Sequence, residues 1–392
     1  MSDAVMILSA KRTPVGAFQG ALAPMSAPQL GAVAIRDAIA ASGIEAAALD
    51  ETIMGCVLPA GLGQAPARQA ALGAGVPIAV PATTVNKMCG SGMKAIMIGA
   101  DQISAGHAGL VVAGGLESMS NAPYLLPKAR AGYRMGHGEL LDHMFYDGLQ
   151  SPWDGKLMGC FADATAEKYA FTRAAQDSFA AESVRRALRA LDAGEFDAEV
   201  APIEVKGRKG VTVVARDETP GTCDISRIPQ LKPAFAANGT VTAASSSSIS
   251  DGAAALVLSS AEAAKDKGLK PVARLVAWAS SALAPEWFTI APVAAVNKVL
   301  KTAGWSVADV DLFEINEAFA VVAMAAMHDL KIDHQRLNVN GGACALGHPI
   351  GATGARIITT LIHALQKRGG RRGVAALCIG GGEATAVAIE LV

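Results

Sequence analysis

A chain of 392 residues, 51% hydrophobic and 18% charged, is long enough for two or three domain-sized units and can bury an extensive core. A formal net charge of -1 gives no overall field toward nucleic acid or an anionic membrane, so an anionic ligand has to be met by a local patch. The six cysteines are far apart and show none of the paired spacings of a zinc site; they read as reduced thiols, and no metal is expected.

The stretch 4-AVMILSAKRTPVGAF-18 sets a short apolar run before a basic turn and reads as a first strand, not as the long apolar core of a signal peptide. No run has the length of a membrane span, and a cytoplasmic location is expected. Residues 28–42 open with Pro28, carry Leu, Val and Ile at helical spacing, and stop at Gly43. Residues 292–303 repeat that pattern from Pro292 to Gly304. Between such helices lie apolar runs that end in glycine, 109-GLVVAGG-115 and 373-GVAALCIGGG-382, so an alternating α/β architecture with buried sheets is predicted.

The likeness extends further along the chain. Gly43–Asp50 matches Gly304–Asp311, Val85-Asn86 matches Val339-Asn340, and 114-GGLE-117 matches 380-GGGE-383, all at nearly equal offsets. Chance matches would scatter, so two related α/β halves are expected, as a pseudo-twofold pair of sheets. Residues 120–250 have no partner in this scheme and read as an inserted loop domain. One half then comprises residues 1–119 and 251–270, and the other residues 271–392. The insertion holds a helix at about 172–191, capped by Thr172 with Phe179, Val184, Leu188 and Leu191 on one face, a basic segment 206-KGRKG-210 and a serine run at 245–248. That run leads directly into an apolar strand and reads either as a tether or as a functional loop at a sheet rim.

Four segments carry reactive groups. In 85-VNKMCGSGMKA-95, Cys89 lies near a helix N-terminus, where free N–H groups and the helix dipole are expected to lower the thiol pKa; Gly90 and Gly92 permit close approach of another chain or a substrate. The plain alternative is a buried structural cysteine. Asn316 and Glu317 follow the strand in 310-VDLFEINEAFA-320, so Asn316 either caps the next helix or points into a site. His348 precedes a proline in 341-GGACALGHPIGATG-354, which keeps it extended with its ring free, to serve a cavity or to brace a turn. Cys378 ends a strand before three glycines, whose N–H groups either bind an oxyanion or belong to a tight connection.

VNKMCGSGMKA, NEAFA, GGACALGHPIGATG and CIGGG stand in the order and spacing of the thiolase family, which the chain resembles from about residue 4 to its end. The resemblance implies a thiolase-like fold, with mixed sheets in layers, and an acyltransferase that joins two acetyl-CoA into acetoacetyl-CoA and CoA, or reverses this, through an acyl-cysteine in ping-pong fashion. It implies Cys89 as nucleophile, His348 as its base and Cys378 as the second acid/base. One oxyanion hole would comprise His348 and a water held by Asn316, the other the N–H groups of Cys89 and Gly380. Coenzyme A is substrate and product, with no tightly bound cofactor. Ser247 would contact the pantetheine arm, and Arg208, Lys209, Arg227 and Lys232 are candidates for the nucleotide end, each also readable as solvated surface charge.

The chain departs from the short-chain pattern at 157-LMG-159, which lacks the usual histidine but keeps Met158, and at the serine run. The stretches 117-ESMSNAPY-124, 287-WFTIAPV-293 and 381-GGEATAVAIELV-392 resemble mitochondrial-type acetoacetyl-CoA thiolases. Met158, Phe235 and Phe288 are candidate pocket residues, and a 2-methyl-branched ester is a further expected substrate. The nearest alternative is a broad-range 3-ketoacyl-CoA thiolase of fatty-acid degradation. Further off are a decarboxylating condensing enzyme, against which Cys378 argues, and a non-catalytic acyl-CoA-binding protein. The resemblance also implies a homotetramer of paired dimers, with the loop 127–143 as a contact.

Overall fold

The computed structural model describes residues 4–207 and 210–392. Nine strands lie side by side: β1 (Val5–Arg12), β2 (Glu51–Gly55), β3 (Ala82–Val85), β4 (Leu110–Ser118), β5 (Ser250–Ser260), β6 (Ala273–Ala282), β7 (Leu312–Ile315), β8 (Arg372–Ile379) and β9 (Glu383–Leu391). Their spatial order is β7-β8-β9-β6-β1-β5-β4-β2-β3, and a short tenth strand, Gly16–Ala17, pairs with β5.

Going outward from the middle, β1, β5 and β4 are antiparallel neighbours, while β2 and β3 continue parallel to β4. On the other side β6, β9 and β8 are antiparallel, β7 is parallel to β8, and a parallel bridge from Phe313 to Leu337 stands where a fifth strand would be. The two halves therefore repeat one topology. The two expected sheets run into one, because β1 and β6 pair antiparallel over Val5–Ile7 and Ala273–Leu275. Those edges would otherwise present unpaired N–H and C=O groups.

Strand alternation builds the layers. On β4, Val111 and Ala113 face one core while Leu110 and Val112 face another. The first of these cores encloses helices α2 (Ser91–Ser104) and α6 (Thr353–Arg368), which touch strands of both halves and form the middle layer. Helix α1 (Ala27–Ser42) covers the outside of the first half, and α4 (Ala291–Ala303) with α5 (Ala320–Leu330) covers the second. The result is helix, sheet, helix, sheet, helix. Each fully buried Leu, Ile or Val contributes roughly 1.5–3 kcal/mol to holding these layers.

The helix boundaries follow the local signals. Ser26 and Gln29 form a capping box at the start of α1, and Gly43 and Gly304 end α1 and α4 with φ of 75° and 69°. The chain between β4 and β5 carries α3 (Arg173–Asp192), capped by Thr172, with Phe179 and Val184 buried and Leu188 and Leu191 packed beside them. It docks through fully buried Arg12 of β1, which binds Glu199 at 2.5 Å and Asp217 through two nitrogens. The basic segment forms a hairpin of Ile203–Gly207 and Gly210–Val214, and Arg208 and Lys209 lie outside the described residues. No helix among the described residues is long and apolar enough to cross a membrane.

Candidate active site

Cys89 occupies a tight turn between β3 and α2. Met88 holds φ of 46°, a left-handed conformation that is strained for a side chain of its size. The turn is braced locally: Ser91 Oγ donates to Met88 O at 2.6 Å and accepts from Lys87 N at 2.8 Å, and Asn86 Oδ1 accepts from Met88 N. Helix α2 starts at Ser91, so Cys89 stands just outside the cap. The close approach permitted by glycine is used by other segments of this chain. A Cβ on Gly90 would meet Ile379 Cδ1 at 2.4 Å, and one on Gly92 would meet Gly351 O at 2.9 Å.

The Gly90 contact presses the Cys89 turn onto the end of β8, where Cys378 is buried. The expected lowering of the Cys89 pKa is overturned. Burial pushes this thiol up to about 11, although the N–H groups of Gly380 and of Cys89 itself pull the other way. Desolvation of a thiolate outweighs two N–H dipoles here, so the resting group is the thiol. Cys378 is raised well above the ordinary range, by burial and by the neighbouring Cys89. The Gly380 N–H is directed to the Cys89 sulfur, and a Cβ on Gly380 would touch only Met158 Sδ, at 3.6 Å.

His348 lies between a short helix, Ala343–Leu346, and α6, after Gly347 at φ of 101°. Its Nδ1 is 2.6 Å from Thr353 Oγ1, whose own proton is given to Pro349 O at 2.9 Å. Thr353 has one hydroxyl proton, so Nδ1 must be the donor and Nε2 is left with its lone pair. Nε2 is buried and has no partner among the described residues. Burial, helped by Arg356, pushes the His348 pKa down to about 3, so the ring is neutral.

Asn316 follows β7 directly and does not cap a helix, because Phe319 holds that position in α5. Its Oδ1 and Nδ2 are both buried without a partner, an arrangement that suits a bound water or substrate group. The serine run is fixed against the same region. Ser247 donates from N and Oγ to Ala318 O, both at 3.0 Å, and His348 N donates to Ser248 O.

One cavity of about 200 Å³ is lined by Cys89, His348, Gly380, Ser247, Met158, Phe235 and Phe288 together. Phe319 stands between two of these aromatic rings, edge-on to Phe235 at 5.8 Å and to Phe288 at 6.4 Å. Arg227 and Lys232 are exposed and do not line the cavity. Sequence reasoning missed Thr353, although a hydroxyl five residues after a histidine at a helix start was a usable signal. It also missed Ile249, Leu149 and Phe319 in the cavity wall, which carry no local signal.

An imidazole held as a free base in the same cavity as a thiol, with bared N–H groups at the sulfur, is the chemistry of covalent acyl transfer; that is the class to which fold and cavity point. A thiolase N-terminal domain matches residues 5–262 and a thiolase C-terminal domain residues 269–391. The chain belongs to the thiolase family. It is 49% identical to an acetyl-CoA acetyltransferase of Pseudomonas aeruginosa over 98% of both chains. Among solved structures it is similar to an acetyl-CoA acetyltransferase of Bacillus anthracis, with TM-score 0.97 and 42% identity over 100% of this chain and 99% of the other. It is also similar in fold to a thiolase of Ascaris suum in complex with coenzyme A, with TM-score 0.95 and 43% identity over 99% of this chain and 100% of the other.

Proposed function

We propose that this thiolase interconverts two acetyl-CoA with acetoacetyl-CoA and CoA through an acetyl group carried on Cys89. The observation that carries the reading is the His348 tautomer: an unpaired Nε2 lone pair in the cavity that also holds the Cys89 thiol. In synthesis Cys89 gives its proton to His348 Nε2 and attacks the thioester carbonyl. Cys378 protonates the departing CoA thiolate and, left as a thiolate, takes the α-proton of the second acetyl-CoA. The carbanion attacks acetyl-Cys89, and His348 returns its proton to the Cys89 sulfur.

The raised pKa of Cys378 suits that second task, since a strongly basic thiolate is needed to remove a weakly acidic α-proton. The N–H groups of Cys89 and Gly380 support one developing oxyanion, and His348 with Asn316, through a water, supports the other. Ser247 receives the pantetheine arm. Arg208, Lys209, Arg227 and Lys232 remain candidates for the nucleotide. Met158, Phe235 and Phe288 bound the acyl pocket, and their bulk favours acetoacetyl and 2-methylacetoacetyl esters over long chains. The six free thiols suit a reducing, cytoplasmic setting, and the loop 127–143, exposed over residues 127–140, supports assembly into a tetramer.

The test is thiolysis of acetoacetyl-, 2-methylacetoacetyl- and a long-chain 3-ketoacyl-CoA, with intact mass recorded in parallel. Turnover confined to short esters and an acetyl adduct on Cys89 are expected. Cys89→Ala should form no adduct, whereas Cys378→Ala should acylate from acetoacetyl-CoA far better than it turns over. Equal activity on the long ester would place the chain among broad-range thiolases, and CoA binding without an adduct would remove catalysis altogether.

A further inference from the structure

Glu117 ends β4 fully buried, forms no ion pair among the described residues and takes no part in the steps above. Its carboxylate is where three backbone segments meet. Oε2 accepts from Val57 N at 3.0 Å and Gly351 N at 2.9 Å, Oε1 accepts from Leu58 N at 3.1 Å, and the Cys56 thiol approaches Oε1 at 3.7 Å. A carboxylate buried without a cation is expensive, and these donors offset the cost only in part: burial still pushes the Glu117 carboxyl up to about 7.

The segments so gathered flank the reacting groups. Gly351 lies between His348 and Thr353, the residue that orients its ring. Val57 and Leu58 pack in one cluster with Met88, Cys89 and Ile350, and Val57 O accepts from Asn86 at the start of the Cys89 turn. The fit leaves no slack. A Cβ on Gly115 would come within 2.0 Å of Gly351 O, and a Cβ on Gly351 within 2.6 Å of Glu117 Oε2. The titratable side chain that acts on Glu117 is Cys56, and Glu117 in turn is among the influences that raise the Cys89 thiol.

We propose that Glu117 is a positioning residue of the thiolase reaction: it ties the turn bearing His348 to the loop beneath Cys89. The proposal rests on the acyl-cysteine reading above. A glutamine in its place accepts at one atom only and turns an NH2 group toward backbone donors, so Glu117→Gln loosens the tie and removes the charge together. Gly351→Ala drives the tie apart with the charge intact. Glu117→Asp withdraws the carboxylate by about one C–C bond, again keeping the charge.

The experiment measures single-turnover acylation of Cys89 by acetoacetyl-CoA, steady-state KM, and the pH profile of Cys89 alkylation by iodoacetamide in all three variants. Acylation is expected to slow on the order of tenfold to a hundredfold in each, with KM within about twofold, because misplacement by a fraction of an ångström acts on the reacting geometry and not on substrate binding. Only Glu117→Gln should move the alkylation profile, and it should move it to lower pH. If Glu117→Gln does not fold, Gly351→Ala and Glu117→Asp carry the rate test. A purely structural residue would lower the melting temperature while leaving the rate and profile of the folded enzyme unchanged, and that result in the variants overturns the proposal. Wild-type enzyme that forms no adduct would instead overturn the acyl-cysteine reading itself.

Discussion

Gly354→Ala is the sharpest probe of how the fold sets the site. Gly354, in the first turn of α6, lies against the backbone of α2: an added Cβ would stand 2.4 Å from Met93 N, 2.7 Å from Met93 Cβ and 3.0 Å from Met93 Cα. None of these atoms is the end of a flexible side chain, so the helices themselves must separate. Ordinary van der Waals contact begins at 3.4 Å, which requires a shift of about 1 Å. Cys89 lies in the turn that leads into one helix and His348 in the loop that leads into the other, so the same shift bears on their separation. A displacement of about 1 Å costs on the order of a hundredfold in rate. Overpacking costs about 1–3 kcal/mol, against which alanine regains about 1 kcal/mol of helix propensity over glycine. Activity should therefore fall far more than stability. The assay is acetyl-adduct formation by quenched mass spectrometry beside urea unfolding. Gly221→Ala is the control, since its Cβ would meet nothing within 4 Å. A Gly354→Ala enzyme that acylates at the wild-type rate would refute the argument.

Two further outcomes are expected. The His348 pKa is held near 3, below its ordinary value of about 6.5, so the unfolded chain binds the extra proton between those values and stability is lost as pH falls through that window. Glu117, raised to about 7, works in the opposite direction over part of the same range, so the comparison is made between His348→Asn and wild type at each pH. The variant's melting temperature should fall less steeply on acidification, and parallel curves would count against the burial argument. Phe235→Ala removes the ring that packs on Gly159 and edge-on to Phe319. The kcat/KM of a six-carbon 3-ketoacyl-CoA relative to acetoacetyl-CoA should rise by about tenfold, the usual worth of space for one or two methylenes in an apolar pocket, and an unchanged ratio would show that Phe235 does not limit the chain.

Much of this was legible because the signals are local. Pro28 and Gly43 bound α1, Thr172 caps α3, and the runs ending in glycine form β4 and β8, because each depends on residues a few positions apart. The position of Cys89 before a helix was equally readable, but its pKa was not. The dipole argument uses only the turn itself, whereas the desolvation that prevails comes from segments hundreds of residues away, including the Gly351 region and the end of β8. The same limit hid Glu117. In sequence it is an acid at the end of a strand, and its partners at 56–58 and 351 meet it only after both halves have folded. The join between β1 and β6 is likewise a matter of two distant edges and carries no pattern of its own.

The duplicated scaffold explains where the site had to form. Helices α2 and α6 occupy equivalent places and cross through Gly92 and Gly354, so whatever precedes each helix is brought to the same seam. One half supplies a thiol there and the other an imidazole. The matching 114-GGLE-117 and 380-GGGE-383 have diverged in the same way. In the first, Gly114 and Gly115 are extended strand pressed against Ala254 and Gly351, and the glutamate is buried as a fastener. In the second, Gly381 and Gly382 take φ of 97° and 88°, Gly380 directs its N–H to the Cys89 sulfur, and Glu383 reaches the surface to pair with Lys87 at 2.5 Å. Neither half holds a working set of groups by itself. On the proposed mechanism nucleophile, base and fastener cross between them, which makes the alignment of the halves part of the catalytic apparatus, and a substitution that parts them by an ångström should cost activity even where every reacting side chain is intact.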